Sequence, residues 1–285
     1  MPELNVALVT GTSSGIGLHT AVGLASKGFR VVATMRDTSR ASALLAEAAD
    51  QGVEVAVRAL DVTDRDSARR CLDEVEADFG PIWILVNNAG LSIAGTLEQL
   101  DDAALQEQLE VNLLGPAALT RHILPSMRKA GSGRIITVTS VGGAVGEPFL
   151  DAYCASKFAI EGMMQSLAPV AARFGVVVSI VEPGAVGTEI LANSDTSAMG
   201  KPGDPYRKLS ENFAATFDGL FANPQPARDA AAVVIEAATT DAPRFRWQTS
   251  DEAAAFAGLS LADLDGAKAV NATDAFFLGS SNSSF

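Results

Sequence analysis

The sequence predicts a doubly wound α/β fold, one parallel sheet of about seven strands flanked by helices and built as a single domain over residues 1–285. Three observations carry that reading. Short β-branched runs alternate with Ala-rich stretches of helical period along most of the chain. The runs are apolar almost throughout, as strands buried on both faces are. A glycine-rich turn, TGTSSGIG at residues 10–17, joins the first run to the first helix.

Taken in order, NVALVT at 5–10 is the first strand, followed by a helix over about 15–27 and by RVVATM at 30–35. VEVAVRAL at 53–60, IWILVN at 82–87, RIITVTS at 134–140, VVVSIVE at 176–182 and RFRWQT at 244–249 supply the others. Helical stretches over about 101–130 and 151–173 are longer than a crossover between strands requires. Helices of that length also pack against a second subunit, so a homodimer or homotetramer is expected. From Thr188 to Pro226 the alternation fails, because Gly200, Pro202, Gly203 and Pro205 interrupt a stretch holding Met199, Phe213, Phe217 and Phe221. The segment over about 188–226 reads as a substrate-covering lid, the competing reading being a surface excursion whose aromatic rings pack on the body. The small polar residues of GSSNSSF, 279–285, predict a mobile tail.

Charge and composition exclude several functions. With 21 Lys+Arg against 34 Asp+Glu, the net charge of -13 repels nucleic acid and anionic lipid. A hydrophobic content of 48% suits a large core, yet no apolar run is long enough to span a bilayer. The opening MPELNVALVTG enters a strand without the basic start and long apolar stretch of an export signal. Cys71 and Cys154 are too few for a disulfide framework and lack metal-ligand spacing, so no metal is expected and a reducing cytoplasm is. Cys154, beside Tyr153, reads as a small packing residue rather than a nucleophile.

The turn at 10–17 opens a helix whose unsatisfied N–H groups and positive end attract a pyrophosphate. Gly11, Ser13, Ser14, Gly15, Ile16 and Gly17 are its candidate contacts, although the Gly-x3-Gly-x-Gly spacing departs from the common Gly-x-Gly-x2-Gly fingerprint. At the end of the second strand Met35 stands where NAD-binding chains carry an acidic residue, and Arg36 follows it. A guanidinium there makes paired bonds to a 2'-phosphate, which favours NADP(H) over NAD(H), while Asp37 is placed to neutralise Arg36 or to bond a ribose. Asp61 and Val62 follow the third strand, and Asn88, Ala89 and Gly90 the fourth, both at carboxyl ends where open α/β sheets bind ligands.

The chemistry is concentrated further along. Tyr153 and Lys157 lie one helical turn apart and share a face, so an ammonium stands near a phenol and favours its ionised form. Such a phenol can exchange a proton with a carbonyl or alcohol oxygen while hydride moves at carbon. Ser140, at the end of the fifth strand, is placed to hold the same oxygen.

These residues resemble the short-chain dehydrogenase/reductase family over nearly residues 4–190. The family's TGxxxGIG is TGTSSGIG here, its NNAG is Asn87 to Gly90, and its Ser and Tyr-x3-Lys are Ser140, Tyr153 and Lys157. The resemblance implies a Rossmann-type fold, a catalytic role for Asn112 of VNLLG in a water-linked path to the lysine, and cofactor contacts from Tyr153, Lys157, Pro183, Gly184, Val186 and Thr188. Within the family, GLHTAVGLASKGFRVVATMRD and PFLDAYCASKFAIEG look like the 17β-hydroxysteroid dehydrogenase type 1 and retinol dehydrogenase branch. That branch implies NADP(H) and a small hydrophobic carbonyl or alcohol substrate, steroid-, retinoid- or polyketide-like. Neither His19 nor His122 falls in the 188–226 segment, where the steroid enzyme keeps a substrate-binding histidine. A non-catalytic NADP(H)-binding protein and an epimerase or dehydratase of related fold are the alternatives.

Overall fold

The computed structural model describes residues 5–189, 194–262 and 264–265, without the side chains of Phe217 and Leu220. The expected mobile tail at 279–285 lies outside the described residues, as do 190–193 of the expected lid.

Seven strands form one parallel sheet: β1 Val6–Thr10, β2 Arg30–Met35, β3 Ala56–Ala59, β4 Ile82–Asn87, β5 Gly133–Val138, β6 Val176–Glu182 and β9 Arg246–Gln248. Their order is β3-β2-β1-β4-β5-β6-β9, so the chain reverses its direction of winding between β1 and β4. The two-residue strands β7 Val186–Gly187 and β8 Gln225–Pro226 pair separately. Strand alternation sends successive side chains to opposite faces, and both faces are apolar. Val6 and Leu8 of β1 point into one core layer, Ala7 and Val9 into the other.

The first layer is covered by α3 Arg65–Phe79, α5 Gly115–Ala130 and α6 Asp151–Ala172, through Leu72, Val75, Leu119, Ile123, Ile160 and Met164. The second is covered by α1 Gly15–Ser26, α2 Ser42–Asp50 and α8 Ala227–Thr239, through Leu18, Leu44, Val234 and Ala237. Each such side chain, fully buried, contributes about 1.5–3 kcal/mol relative to exposure, which is why both layers form at once. Helix starts follow local chemistry: Asp64 caps α3 by accepting from the N–H groups of Asp66 and Ser67, both at 3.0 Å. Gly131, at φ 69, ends α5 in the left-handed conformation open to glycine.

Three elements differ from the sequence expectation. The stretch at 101–130 is α4 Asp102–Leu109, one π turn over Glu110–Leu114, and then α5. Pro116 has no N–H for the carbonyl of Asn112 four residues earlier, so the ladder widens there. The edge strand β3 covers only 56–59 because it has one neighbour, paired from Val32↔Ala56 to Met35↔Ala59. The segment at 188–226 contains a regular helix, α7 Arg207–Leu220, directly after the Gly/Pro cluster. The body beneath it fixes this helix, with Met199 and Phe213 packing on Ala94, Leu150 and Cys154.

Candidate active site

The carboxyl ends of β1, β4, β5 and β6 open into a cleft of about 1360 Å³ at the winding reversal. Of the residues selected from sequence, all but Gly17 and Asn112 line it. Its floor is assembled by main-chain tethers. Thr10 Oγ1 accepts from the N–H groups of Asn88 and Ala89, both at 3.0 Å. Asn88 Nδ2 in turn donates to the carbonyls of Thr10 (2.9 Å) and Gly11 (3.0 Å). A Cβ at Gly11 would lie 2.8 Å from Ala89 Cα, and one at Gly17 would strike the Gly11 carbonyl. Gly17 therefore serves the turn by packing, beneath the cleft rather than on it.

The start of α1 is left open to a ligand. Ser14 at its N-cap makes no side-chain capping bond; its hydroxyl instead donates to Glu189 Oε2 at 3.1 Å. The uncapped N–H groups and the helix dipole suit a pyrophosphate. Thr188 closes over Gly15, whose Cβ would lie 3.0 Å from Thr188 Cγ2. At the far end of the cleft, Arg36 makes no ion pair among the described residues. Asp37 accepts from Ser39 N–H at 3.0 Å, and Ser39, through its side chain first and its N–H second, holds the carboxyl below the usual range, so its charge is engaged in a turn. Arg40, which the sequence reading passed over, lines the same end and pairs with Glu189 at 3.0 Å. The pattern Arg36-x3-Arg40 was the available signal. Asp61 accepts from Thr63 N–H (2.9 Å) and hydroxyl (2.8 Å), and the Val62 side chain packs where a Cβ on Gly115 would be.

At the chemical end, β5 stops at Val138, and Ser140 caps the short turn Val141–Gly143 by accepting from Gly142 N–H at 3.0 Å. A Cβ on Gly142 would lie 3.4 Å from Ser140 Oγ and 3.2 Å from Tyr153 Cε1, so the two hydroxyl-bearing side chains meet at one point of the cleft. Lys157 is 5% exposed, with Nζ 5.6 Å from the Tyr153 ring centroid and one hydrogen bond, to the Val138 carbonyl at 3.3 Å. Burial lowers Lys157 to about 8, opposed by the charge of Glu161. Burial raises Tyr153 well above the usual phenol range, opposed by the Ser140 hydrogen bond, and the carboxylates of Glu147 and Glu161 push it further up. Burial and the neighbouring carboxylates thus act on the phenol in the sense opposite to the acidifying effect expected of the ammonium.

Asn112 lies in the π turn. Its Oδ1 accepts from Leu91 N–H (2.9 Å), and its Nδ2 donates to the Leu91 carbonyl (2.9 Å) and to Ser156 Oγ (3.0 Å). It clamps a cleft-wall backbone to α6. Val141 N–H donates to the Pro183 carbonyl at 2.9 Å, and Gly184 lies against Ala253, which together seat the Pro183–Thr188 segment on the cleft. Cys154 is buried, its thiol raised to about 11 by desolvation, which fits packing and not nucleophilic chemistry. His19 and His122 sit in α1 and α5 beside Glu47 and Asp73, outside the cleft lining.

Behind Lys157 lies a charge cluster that the sequence reading missed. Arg246 Nη1 on β9 bonds Glu161 Oε2 at 2.6 Å and also bonds Glu182 Oε1, with all three residues buried. Burial raises both carboxyls; the charge of Glu182 adds to the rise at Glu161, whereas Arg246 and the bond to Glu161 oppose the rise at Glu182. Glu161 follows Lys157 by one turn on the same face, which is the signal sequence spacing held.

A sequence profile for the short chain dehydrogenase family matches residues 5–198. Estradiol 17-beta-dehydrogenase 1 of Rattus norvegicus is 36% identical over 282 residues, covering 95% of this chain and 80% of that protein. Retinol dehydrogenase 8 of Homo sapiens is 35% identical over 282 residues, covering 93% and 88%. Among solved structures, a short-chain dehydrogenase from Streptomyces avermitilis superposes with a TM-score of 0.77 at 32% identity over 89% of this chain and 92% of that one. A metagenomic short-chain oxidoreductase in complex with NADP gives 0.68 at 30% identity over 86% and 96%. The chain belongs to the short-chain dehydrogenase family, and it is an oxidoreductase with the cleft of a nicotinamide-dependent enzyme.

The buried lysine makes the site costly to fold. Between the folded value of about 8 and the ordinary 10.5, the unfolded chain binds a proton that the folded chain does not, so the contribution of Lys157 to stability rises with pH across that window. Lys157→Met should therefore be more stable than the parent at pH 7, by up to about 3 kcal/mol. The difference should shrink as the pH approaches 10.5. Urea unfolding of both proteins across this range measures it, and a constant gap would contradict a buried ammonium.

Proposed function

We propose that this protein is an NADP(H)-dependent reductase of small hydrophobic ketones or aldehydes, with Tyr153 as the acid. The observation that carries the reading is the Tyr153 side chain in the cleft, with Ser140 beside it and the buried Lys157 behind its ring. NADPH, when bound, supplies the hydride to the carbonyl carbon and leaves as NADP⁺. Tyr153 gives its proton to the oxygen as negative charge develops there, and the product is an alcohol. The phenol keeps that proton until an alkoxide forms, because burial and nearby carboxylates disfavour the phenolate. Ser140, fixed by Gly142 N–H, has one hydroxyl proton to direct at either the phenol or the substrate oxygen. Below about pH 8 Lys157 is an ammonium, and it stabilises the phenolate left after transfer.

The uncapped start of α1 and the turn around Gly11, Ser13, Ser14, Gly15 and Ile16 would hold the pyrophosphate. Asp61, Val62, Asn88, Ala89 and Gly90 would line the adenosine and ribose path, and Pro183, Gly184, Val186 and Thr188 the nicotinamide side. Arg36, without a carboxylate partner among the described residues and accompanied by Arg40, supports the choice of NADP(H), as does the NADP complex of the metagenomic relative. Asn112 acts as a positioning residue through Leu91 and Ser156. Phe221, Phe256, Leu91 and Leu150 give the substrate end apolar walls, in keeping with the estradiol and retinol named for the relatives. The segment 188–226 would cover that end, since Phe221 lines the cleft. Along α6, Phe158, Met163 and Val170 are 45%, 40% and 46% exposed, an apolar outer face that a second copy would cover in a homodimer or homotetramer.

Tyr153→Phe should lower kcat for NADPH oxidation with apolar ketones by about 10²–10⁴-fold while the protein stays folded; unchanged turnover would remove the mechanism. Arg36→Ala should weaken NADPH about 10–100-fold and NADH little, read by titrating nicotinamide fluorescence; equal losses would exclude a phosphate-binding role. Light scattering at micromolar concentration should read more than one chain mass, and a monomer would count against the paired α6 face.

A further inference from the structure

The turn between the 141–143 helix and α6 carries a carboxyl group that the reaction above does not use. Glu147 lines the cleft, and among the described residues its side chain makes no hydrogen bond or ion pair. Its own N–H donates to Cys154 Sγ at 3.3 Å and its carbonyl accepts from Leu150 N–H at 3.1 Å, so the backbone is fixed. Two residues on, Phe149 holds φ 62, a left-handed conformation unfavourable for an aromatic residue. It is kept there by Gly95 N–H, which donates to its carbonyl at 2.7 Å, and by the Phe213 ring at 5.4 Å.

The position of the carboxylate relative to the chemistry is fixed by Gly142. An ideal Cβ on that glycine would lie 2.8 Å from Glu147 Oε1, 3.2 Å from Tyr153 Cε1 and 3.4 Å from Ser140 Oγ. That point is nearer to Glu147 Oε1 than a carbon can lie, so the absence of a side chain at Gly142 is what lets the carboxylate stand beside the Tyr153 ring and the Ser140 hydroxyl. Nearby walls are apolar, Leu150 and Val141 among them. Desolvation raises the Glu147 carboxyl, as expected of an acid with no partner to offset its burial. A purely apolar substrate would leave that acid against hydrocarbon, whereas a donor on the substrate would satisfy it.

Building on the reductase reading, we infer that Glu147 selects carbonyl substrates bearing a hydrogen-bond donor, hydroxyl or ammonium, one or two carbons from the reacting carbonyl, with the remainder of the molecule apolar. Glu147 accepts that donor while Ser140 and Tyr153 hold the carbonyl oxygen. Discrimination follows because a substrate closing over half-buried Glu147 excludes water from it, and an analogue without the donor leaves the carboxylate unpaired.

The probe pair is 2-hydroxyacetophenone and propiophenone, which place a hydroxyl or a methyl at the same position of one aryl ketone. The ratio of their kcat/KM values with NADPH is measured for the parent enzyme, Glu147→Leu and Glu147→Gln. A second readout is the dissociation constant of each ketone for NADPH-loaded Tyr153→Phe, with and without Glu147→Leu, from quenching of nicotinamide fluorescence. The expected result is a preference for the hydroxy ketone that falls about tenfold or more in Glu147→Leu, partly survives in Glu147→Gln and is mirrored in binding. No preference for the hydroxy ketone in either readout, or one that Glu147→Leu leaves intact, overturns the inference. Failure of the reductase reading shows separately, as turnover that Tyr153→Phe does not reduce.

Discussion

A lysine withdrawn from water beneath a phenol is the arrangement on which the rest of the structure depends. Lys157 loses most of its hydration and recovers one hydrogen bond, to the Val138 carbonyl, together with the ring of Tyr153. An isolated ammonium would not remain charged there at neutral pH, because desolvation drives it toward its neutral form. Glu161, one helical turn further on, supplies the opposing charge. Both residues of the pair are thus displaced by the same burial in opposite senses, the phenol toward holding its proton and the amine toward losing one. Their proton affinities move apart, the phenol above its ordinary value and the amine below it.

That support reaches through the sheet. Glu161 shares the Arg246 guanidinium with Glu182 at the end of β6, and Gln248 donates to the other Glu182 oxygen. Two buried carboxylates against one cation leave the cluster short of positive charge, so part of the demand is met by Lys157 on the same helix. Gly143 is what allows the approach, since a Cβ there would strike Glu161. The last strand of the sheet, far from the cleft in sequence, therefore bears on the charge state of the lysine at its floor. A hydrophobic replacement of such a cluster is often neutral or stabilising, which makes stability a poor explanation of its presence.

Much of this was legible in the sequence, and what was not has physical reasons. The central strands β1, β2, β4, β5 and β6 fell where the β-branched runs placed them, because burial on both faces leaves a short, nearly continuous apolar run. The glycine turn, Ser140 and the Tyr153/Lys157 pair were readable because each depends on short-range spacing: a turn, a strand end, one helical step. The division of 101–130 at its π turn escaped because it arises where Pro116 and the Asn112 side chain act together, the latter on a backbone 21 residues away. Helix α7 escaped because its packing partners Leu150 and Cys154 lie on a segment far from it in sequence. Glu147 carried no signal at all, being one acid among many until Gly142 and Tyr153 are brought against it.

The same contrast explains how the cleft divides its work. The half proposed for the dinucleotide is made largely of main chain: the uncapped start of α1, the tethers from Thr10 and Asn88, and glycines whose missing side chains let backbones meet. Such a surface is specified by few residue types and tolerates little change, which is why it stands out in a single sequence. The half proposed for the substrate is made of side chains from three distant segments: the 91–95 loop, the 144–150 turn and the stretch containing Met199, Phe213 and Phe221. Any of these can vary without disturbing the sheet, since loops carry little of the core. Phe149 is the exception that joins them, its left-handed backbone held by Gly95 from one segment and by Phe213 from another. A conformation that costs energy persists only when its surroundings fix it. Here those surroundings are the substrate walls themselves, so the shape of that half and the orientation of Glu147 are set by one packing arrangement.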